Sequence, residues 1–170
     1  MQRICCKRFF ICVFHLIKLI GNFSGHNDRI NSVTFSADGE FLLSASGEAN
    51  KELTHDNSIK IWDIASRKQV TEFYHPDFVI NCVAVSPNGK FVASCADDKT
   101  VKLWQMPLKK EIQNFTGHQS CILDIAFTPD GQFIVSGGKD NTVRLWDATT
   151  GKISKILEHS QLVTSISVSP

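Results

Sequence analysis

From residue 30 onward the sequence alternates apolar and polar side chains in short runs broken by turn residues, the period-two pattern of half-buried β-strands. The pattern predicts strands at 30–36, 40–46, 58–63 and 68–74, then at 80–86, 90–95, 100–105 and 110–115. A third set follows at 122–128, 132–137, 142–147 and 152–157, and a last strand at 163–169, ahead of Pro170. Ser36-Ala37-Asp38-Gly39, Ser86-Pro87-Asn88-Gly89 and Thr128-Pro129-Asp130-Gly131 separate the first two strands of each set, and Asp-Gly or Asn-Gly between alternating runs is a strong hairpin signal. No stretch carries helical periodicity over twelve residues or more.

The sets repeat. Trp62, Trp104 and Trp146 are the only tryptophans, 42 residues apart each time, in the matching frames Ser58-Ile59-Lys60-Ile61-Trp62-Asp63, Thr100-Val101-Lys102-Leu103-Trp104-Gln105 and Thr142-Val143-Arg144-Leu145-Trp146-Asp147. Four-stranded units at this period read as propeller blades. The expected fold is therefore all-β: four-stranded antiparallel blades in an incomplete ring of about three, with flanking strands. Residues 1–17 stand apart from an array at 18–170, with repeats at about 18–63, 67–105 and 109–147 and a partial one at 151–170.

From about Lys18 to Pro170 these residues resemble the WD40-repeat family. Gly-His occurs as Gly25-His26 and Gly117-His118, more loosely as Tyr74-His75 and Glu158-His159. Trp-Asp stands at Trp62-Asp63 and Trp146-Asp147, with Gln105 after Trp104. Each tryptophan is preceded by a turn aspartate (Asp56, Asp98, Asp140) and a strand serine (Ser44, Ser94, Ser136). The resemblance implies three hydrogen-bonded tetrads: His26–Ser44–Asp56–Trp62, His75–Ser94–Asp98–Trp104 and His118–Ser136–Asp140–Trp146. Their logic is physical. A buried indole N–H or imidazole without a partner costs about 1–3 kcal/mol. An aspartate can fix the histidine tautomer while a serine hydroxyl bridges imidazole to indole, and such a network is costly when half-built.

His, Ser and Asp also compose a hydrolase triad. Here the trio recurs at one period, always with Trp, and no Gly-x-Ser-x-Gly elbow accompanies it. No phosphate loop, His-Glu-x-x-His helix or EF-hand loop occurs either. The expectation is no catalytic residue, no metal and no cofactor.

Composition changes this picture little. The protein has 170 residues, 42% hydrophobic and 21% charged, with net charge +1, enough for a core and too neutral for a nucleic-acid footprint. Cys82, Cys95 and Cys121 sit in or beside apolar runs and read as reduced thiols, which points to a cytoplasmic or nuclear protein. Cys5, Cys6, Cys12 and His15 lack the second spaced pair of a zinc site. Residues 9–17 are uncharged behind Arg3, Lys7 and Arg8, which leaves a signal-peptide reading as a minor alternative to an extra buried strand or a foreign start, and they are too short to span a bilayer. The sequons Asn22-Phe23-Ser24 and Asn114-Phe115-Thr116 fall at equivalent repeat positions, which accounts for them without glycans.

The first repeat carries eight extra residues within Gly47–His55, either a tolerated surface loop or a specificity element. By analogy with the family, side chains leading into each first strand face partners: Arg29 and Asn31, Val79 and Asn81, Cys121 and Leu123, Leu162 and Thr164, with Asp97 and Lys139 beside the turn aspartates. The implied function is a non-catalytic scaffold or adaptor binding other proteins or peptides, with neither nucleic acid nor a membrane span. Rings close with about four to eight blades, so the alternative is a propeller fragment without independent activity, needing further blades in cis or trans; a misassembled gene product is a related possibility.

Overall fold

The computed structural model describes residues 8–13, 18–48, 56–75, 78–106 and 110–169, with side chains from residue 21 onward. Among them are fourteen strands and no helix. β1 (Arg8–Val13) pairs antiparallel with β2 (Lys18–Ser24). Three four-stranded antiparallel sheets follow, each laddered in sequence order. The first holds β3 (Ile30–Phe35), β4 (Phe41–Ser46), β5 (Ser58–Asp63) and β6 (Gln69–Tyr74). The second holds β7 (Ile80–Val85), β8 (Phe91–Ala96), β9 (Val101–Gln105) and β10 (Lys110–Phe115). The third holds β11 (Ile122–Phe127), β12 (Phe133–Gly138), β13 (Thr142–Asp147) and β14 (Ile153–Glu158). The twelve strands expected in these sheets agree to within one residue at either end. The sheets form an arc that does not close.

The strand expected at 163–169 is not one. This segment has no ladder; it is held by Val163 N–H on the Gly138 carbonyl (3.0 Å) and Ile166 N–H on Asp124 Oδ2 (2.7 Å). An alternating pattern marks which side chains can be buried, but a strand needs a laddered neighbour, and none lies beside these residues. Val163 and Ile166 instead lie flat on Gly137, where an added Cβ would come within 2.6 Å of Val163 Cγ1.

The sheets are one strand out of phase with the sequence repeats, because the strand that opens each repeat completes the sheet before it. Apolar residues of one sheet interlock with those of the next. Leu43, Ala45, Ile59, Ile61 and Phe73 of the first meet Ile80, Val83, Val92 and Trp104 of the second. Ala93, Cys95, Val101, Leu103 and Phe115 of the second meet Ile122, Ile125, Ile134 and Trp146 of the third. The outer-strand phenylalanines reach across: Phe73 stacks on Trp104 at 5.2 Å, while Phe115 and Phe23 meet Trp146 and Trp62 edge-on at 5.7 and 6.0 Å. Such pairs add about 1 kcal/mol beyond area burial.

Where no described residue covers this pattern it lies open. Val33 is 49% exposed, whereas its equivalents Val83 and Ile125 are 3% and 4% exposed beneath the preceding sheet. On the far side of the arc, Leu157 is 46% exposed where Phe73 and Phe115 are buried.

Candidate functional site

Each sheet takes its histidine from the connection leading into it, its serine from the second strand, its aspartate from the turn before the third and its tryptophan from the third strand. Trp62, Trp104 and Trp146 Nε1 donate to Ser44, Ser94 and Ser136 Oγ at 2.8, 2.9 and 2.8 Å. Each serine oxygen also lies 2.7 Å from Nε2 of His26, His75 or His118. Nδ1 of His26 and of His118 sits 2.7 Å from Oδ2 of Asp56 and of Asp140. An indole N–H only donates and a carboxylate only accepts, which sets the direction of the network. In the first and third sheets His Nδ1–H donates to Asp, and in all three sheets Ser O–H donates to His Nε2 and Trp N–H donates to Ser. The bonds to Asp56 and Asp140 place a proton on Nδ1 of His26 and of His118.

The aspartates tie more than the histidine. Asp56 Oδ2 also accepts the Asn27 N–H (2.7 Å) and Asp140 Oδ2 the Gln119 N–H (2.9 Å). Their second oxygens accept the Ser58 hydroxyl and the Thr142 hydroxyl and N–H. Burial alone would raise the Asp56 pKa, but bonds from His26, Ser58 and Asn27 outweigh it and hold the carboxyl at about 2. Asp140 is likewise brought to about 2 against burial by Gln119, His118 and Thr142. Burial pushes His118 below the usual histidine value, only partly offset by Asp140.

The second cluster is looser. His75 Nδ1 is 3.5 Å from Asp98 Oδ2 and makes no hydrogen bond, although the ring is fully buried. Asp98 still sits below the ordinary carboxylate value because His75 and Thr100 outweigh its burial. The first cluster is intact despite the insertion preceding Asp56; most of that insertion, residues 49–55, lies outside the described residues. Buried Asp28, which sequence reasoning passed over, accepts the Asp56 N–H at 2.8 Å and anchors the insertion's far end.

The Ser–His–Asp order matches that of a hydrolase triad, but the environment is opposite. Ser44, Ser94 and Ser136 are 0% exposed, and each oxygen already accepts an indole N–H.

The residues expected to face partners share one end of the arc. There the N–H of Gly47, Asp97 and Lys139 bonds to the carbonyl of Arg29, Val79 and Cys121 in equivalent hairpins. The first strands skip one residue of register beside this end, between Ile30 and Ser32, Ile80 and Cys82, and Ile122 and Asp124. The bulged residues are thus Asn31, Asn81 and Leu123, and a bulge re-aims its side chain. Asn31 Nδ2 donates to Gly47 O (2.8 Å) and across to Ile80 O of the second sheet (3.0 Å). Asn81 Nδ2 donates to Asp97 Oδ1 (2.8 Å) and across to Ile122 O of the third sheet (2.9 Å). Both amides clip neighbouring sheets together. Arg29 and Leu123 are half-buried, Lys139 is exposed, and Leu162 and Thr164 are exposed on the last segment. Alternation alone could not locate the bulge, so the clip was invisible in the sequence.

The described thiols are free. Burial, then Asp124, pushes Cys82 up to about 12, and Cys95 and Cys121 are raised as well, chiefly by burial. Cys5, Cys6, Cys12 and His15 lie outside the described side chains. Among the described residues no three His, Cys, Asp or Glu side chains are placed to hold a metal ion. No helix among them is long and apolar enough to cross a membrane.

Comparison with known proteins matches this architecture. The family model described as WD domain, G-beta repeat matches residues 17–63, 67–105 and 109–147. The chain is similar to the human WD repeat-containing protein 36, 36% identical over 77 residues, which is 45% of this chain and 8% of that protein. It is also similar to the ribosome biogenesis protein BOP1 homologs of Drosophila persimilis and Drosophila melanogaster, each 35% identical over 68 residues, or 40% of this chain and 8% of theirs. The matched region spans less than a tenth of the length of these relatives.

Proposed function

Since the chain belongs to the WD40-repeat family, whose repeats serve as protein-interaction scaffolds, we propose that it is a non-catalytic adaptor that holds other proteins against the end of the arc carrying Arg29, Asp97, Leu123 and Lys139. The observation that carries this reading is the division of labour among polar groups. The reactive-looking trios are sealed inside the sheets, while equivalent hairpins present chemically different side chains at one end. A charged residue in one blade and an apolar one in the next make an address that a partner can read, because fixed polar groups reject mismatched surfaces.

The similarity to ribosome biogenesis proteins supports a setting in ribosome assembly and hence in the nucleus. Partners would be proteins or peptides, and the near-neutral charge argues against direct nucleic-acid binding. The test is quantitative co-purification from cells of the wild-type protein and of an Arg29→Glu, Lys139→Glu variant with its melting curve unchanged. Loss of a defined set of partners supports the reading; an unchanged set overturns it.

The open apolar faces at Val33 and Leu157 favour a second reading, in which these blades act only with further blades beside them, in cis or in trans. Sedimentation and a melting curve separate the two. A monomer with one cooperative transition supports the autonomous adaptor, and a molten or aggregating sample supports dependence on more blades.

A further inference from the structure

The hairpin turns joining the first and second strands of the three sheets have one geometry and, at one position, two chemistries. In each turn the glycine N–H bonds to the carbonyl three residues back: Gly39 to Ser36 (3.0 Å), Gly89 to Ser86 (2.9 Å) and Gly131 to Thr128 (2.8 Å). These glycines have φ of +73°, +69° and +71°, the left-handed region where a Cβ is strained. The residue before each glycine fastens the turn with one Oδ1 atom. Asp38 Oδ1 accepts the Ser36 hydroxyl (2.5 Å) and the Glu40 N–H (2.9 Å). Asp130 Oδ1 accepts the Thr128 hydroxyl (2.5 Å) and the Gln132 N–H (3.0 Å). In the second sheet the same position is Asn88, whose Oδ1 accepts the Ser86 hydroxyl (2.8 Å) and the Lys90 N–H (3.0 Å). The amide nitrogen has no part in the fastening.

We propose that Asn88 is a site of spontaneous deamidation at which the fold collects aspartate. The backbone nitrogen of Gly89 attacks Asn88 Cγ, the bond from Cγ to Nδ2 breaks and ammonia leaves, giving a five-membered succinimide. Water then opens the ring at one of its two carbonyls, to aspartate or to isoaspartate. Gly89 is the neighbour best suited to attack: it has no Cβ to shield its nitrogen, and nothing lies within 4 Å of where a Cβ would stand. Asn88 is exposed, so water reaches the ring. In the closed turn Ser86 O holds the nucleophilic nitrogen and two bonds hold the amide oxygen, so reaction proceeds from the opened turn. The two products then part. Aspartate closes the turn with the bonds Asp38 and Asp130 already make. Isoaspartate puts an extra backbone atom into a four-residue turn pinned between β7 and β8, stays open, and returns to the succinimide. Repeated passage accumulates aspartate and adds one negative charge to the second blade.

The test is peptide mass mapping of the full-length protein aged at neutral pH and body temperature, with isoaspartyl methyltransferase labelling to separate the products. The expected result is a gain of one mass unit at Asn88, ahead of Asn22, Asn114 and Asn141, with unlabelled aspartate dominating in folded protein and isoaspartate in protein aged in urea. Asn88→Ser keeps an acceptor oxygen and abolishes the gain. Asn88→Asp melts no lower than wild type. An unmodified Asn88 in folded protein, isoaspartate dominating there, or an Asn88→Asp variant that melts lower would each overturn the proposal.

Discussion

His75 Nδ1 stands 3.5 Å from Asp98 Oδ2, while His26 and His118 hold their aspartates at 2.7 Å. The sequence explains the difference. The residue after His26 or His118 is Asn27 or Gln119, whose N–H clamps the same carboxylate oxygen. The residue after His75 is Pro76, which has no N–H to give. Without that clamp Asp98 relaxes away and the imidazole loses its anchor. Removing the carboxylate should therefore cost about 3 kcal/mol in Asp140→Ala, which orphans a buried donor and a backbone N–H, and only about 1 kcal/mol in Asp98→Ala. Urea unfolding of the two variants measures the gap; equal losses would remove the explanation.

Serine is the shared node of each cluster. Ser136→Ala leaves the Trp146 indole N–H and His118 Nε2 without partners at once, at about 2–4 kcal/mol, whereas Trp146→Phe deletes one donor and keeps most of the ring for about 1–2 kcal/mol. Thermal melts of both variants test the order, which should hold also for Ser44 and Trp62.

The carboxylates make stability fall with acid. Asp56 and Asp140 are held at about 2 in the fold against an ordinary 3.8. The unfolded state therefore takes up protons first as pH drops. Each group contributes about 2 kcal/mol that is fully present above pH ~4 and lost as pH falls towards ~2. His118, also depressed, acts in the same direction from nearer pH 6.5 downward, because the fold resists its charging. Urea midpoints across this range should decline monotonically on acidification, and a midpoint that rises between pH 6 and 4 would contradict the assignment.

The same substitution at equivalent positions should behave differently according to what covers them. Val83→Asp buries a charge between the first two sheets and should prevent folding or cost more than about 4 kcal/mol. Val33→Asp meets water and should stay within about 0.5 kcal/mol of wild type. A large loss at Val33 would show that another blade covers that face in solution.

Breaking one sheet-to-sheet clip gives a smaller effect. Asn81→Ala removes two donated bonds, one within the second sheet and one across to Ile122 O, and should cost about 1–2 kcal/mol without disturbing the clusters. Hydrogen exchange should quicken at the ends of β11 and β12 before it does in β8 and β9.

Much of this was legible in the sequence because the repeat multiplies every signal. One Trp-Asp is weak, but three tryptophans in one register, each with Ser, Asp and His in phase, pin the sheets and bring the tetrad members together. What was not legible depended on relations between sheets. The phase slip of one strand, the phenylalanines reaching the next tryptophan and the bulges at Asn31 and Asn81 arise from contacts that a linear pattern does not encode. Residues 163–169 show the converse. Their alternation is a strand's, but the neighbour that would make them one is not beside them.

The one-strand offset between repeat and sheet bears on how such an array lengthens. A segment one repeat long, such as 67–105, carries the outer strand of one blade and three strands of the next. It therefore holds both Phe73 and the Trp104 on which that ring stacks, so the seam between blades lies inside the copied unit. Where one copy meets another, an outer strand pairs with a third strand, as β6 already does with β5. Tandem duplication inserts no foreign joint, and blade number can change while every contact between blades stays as it was.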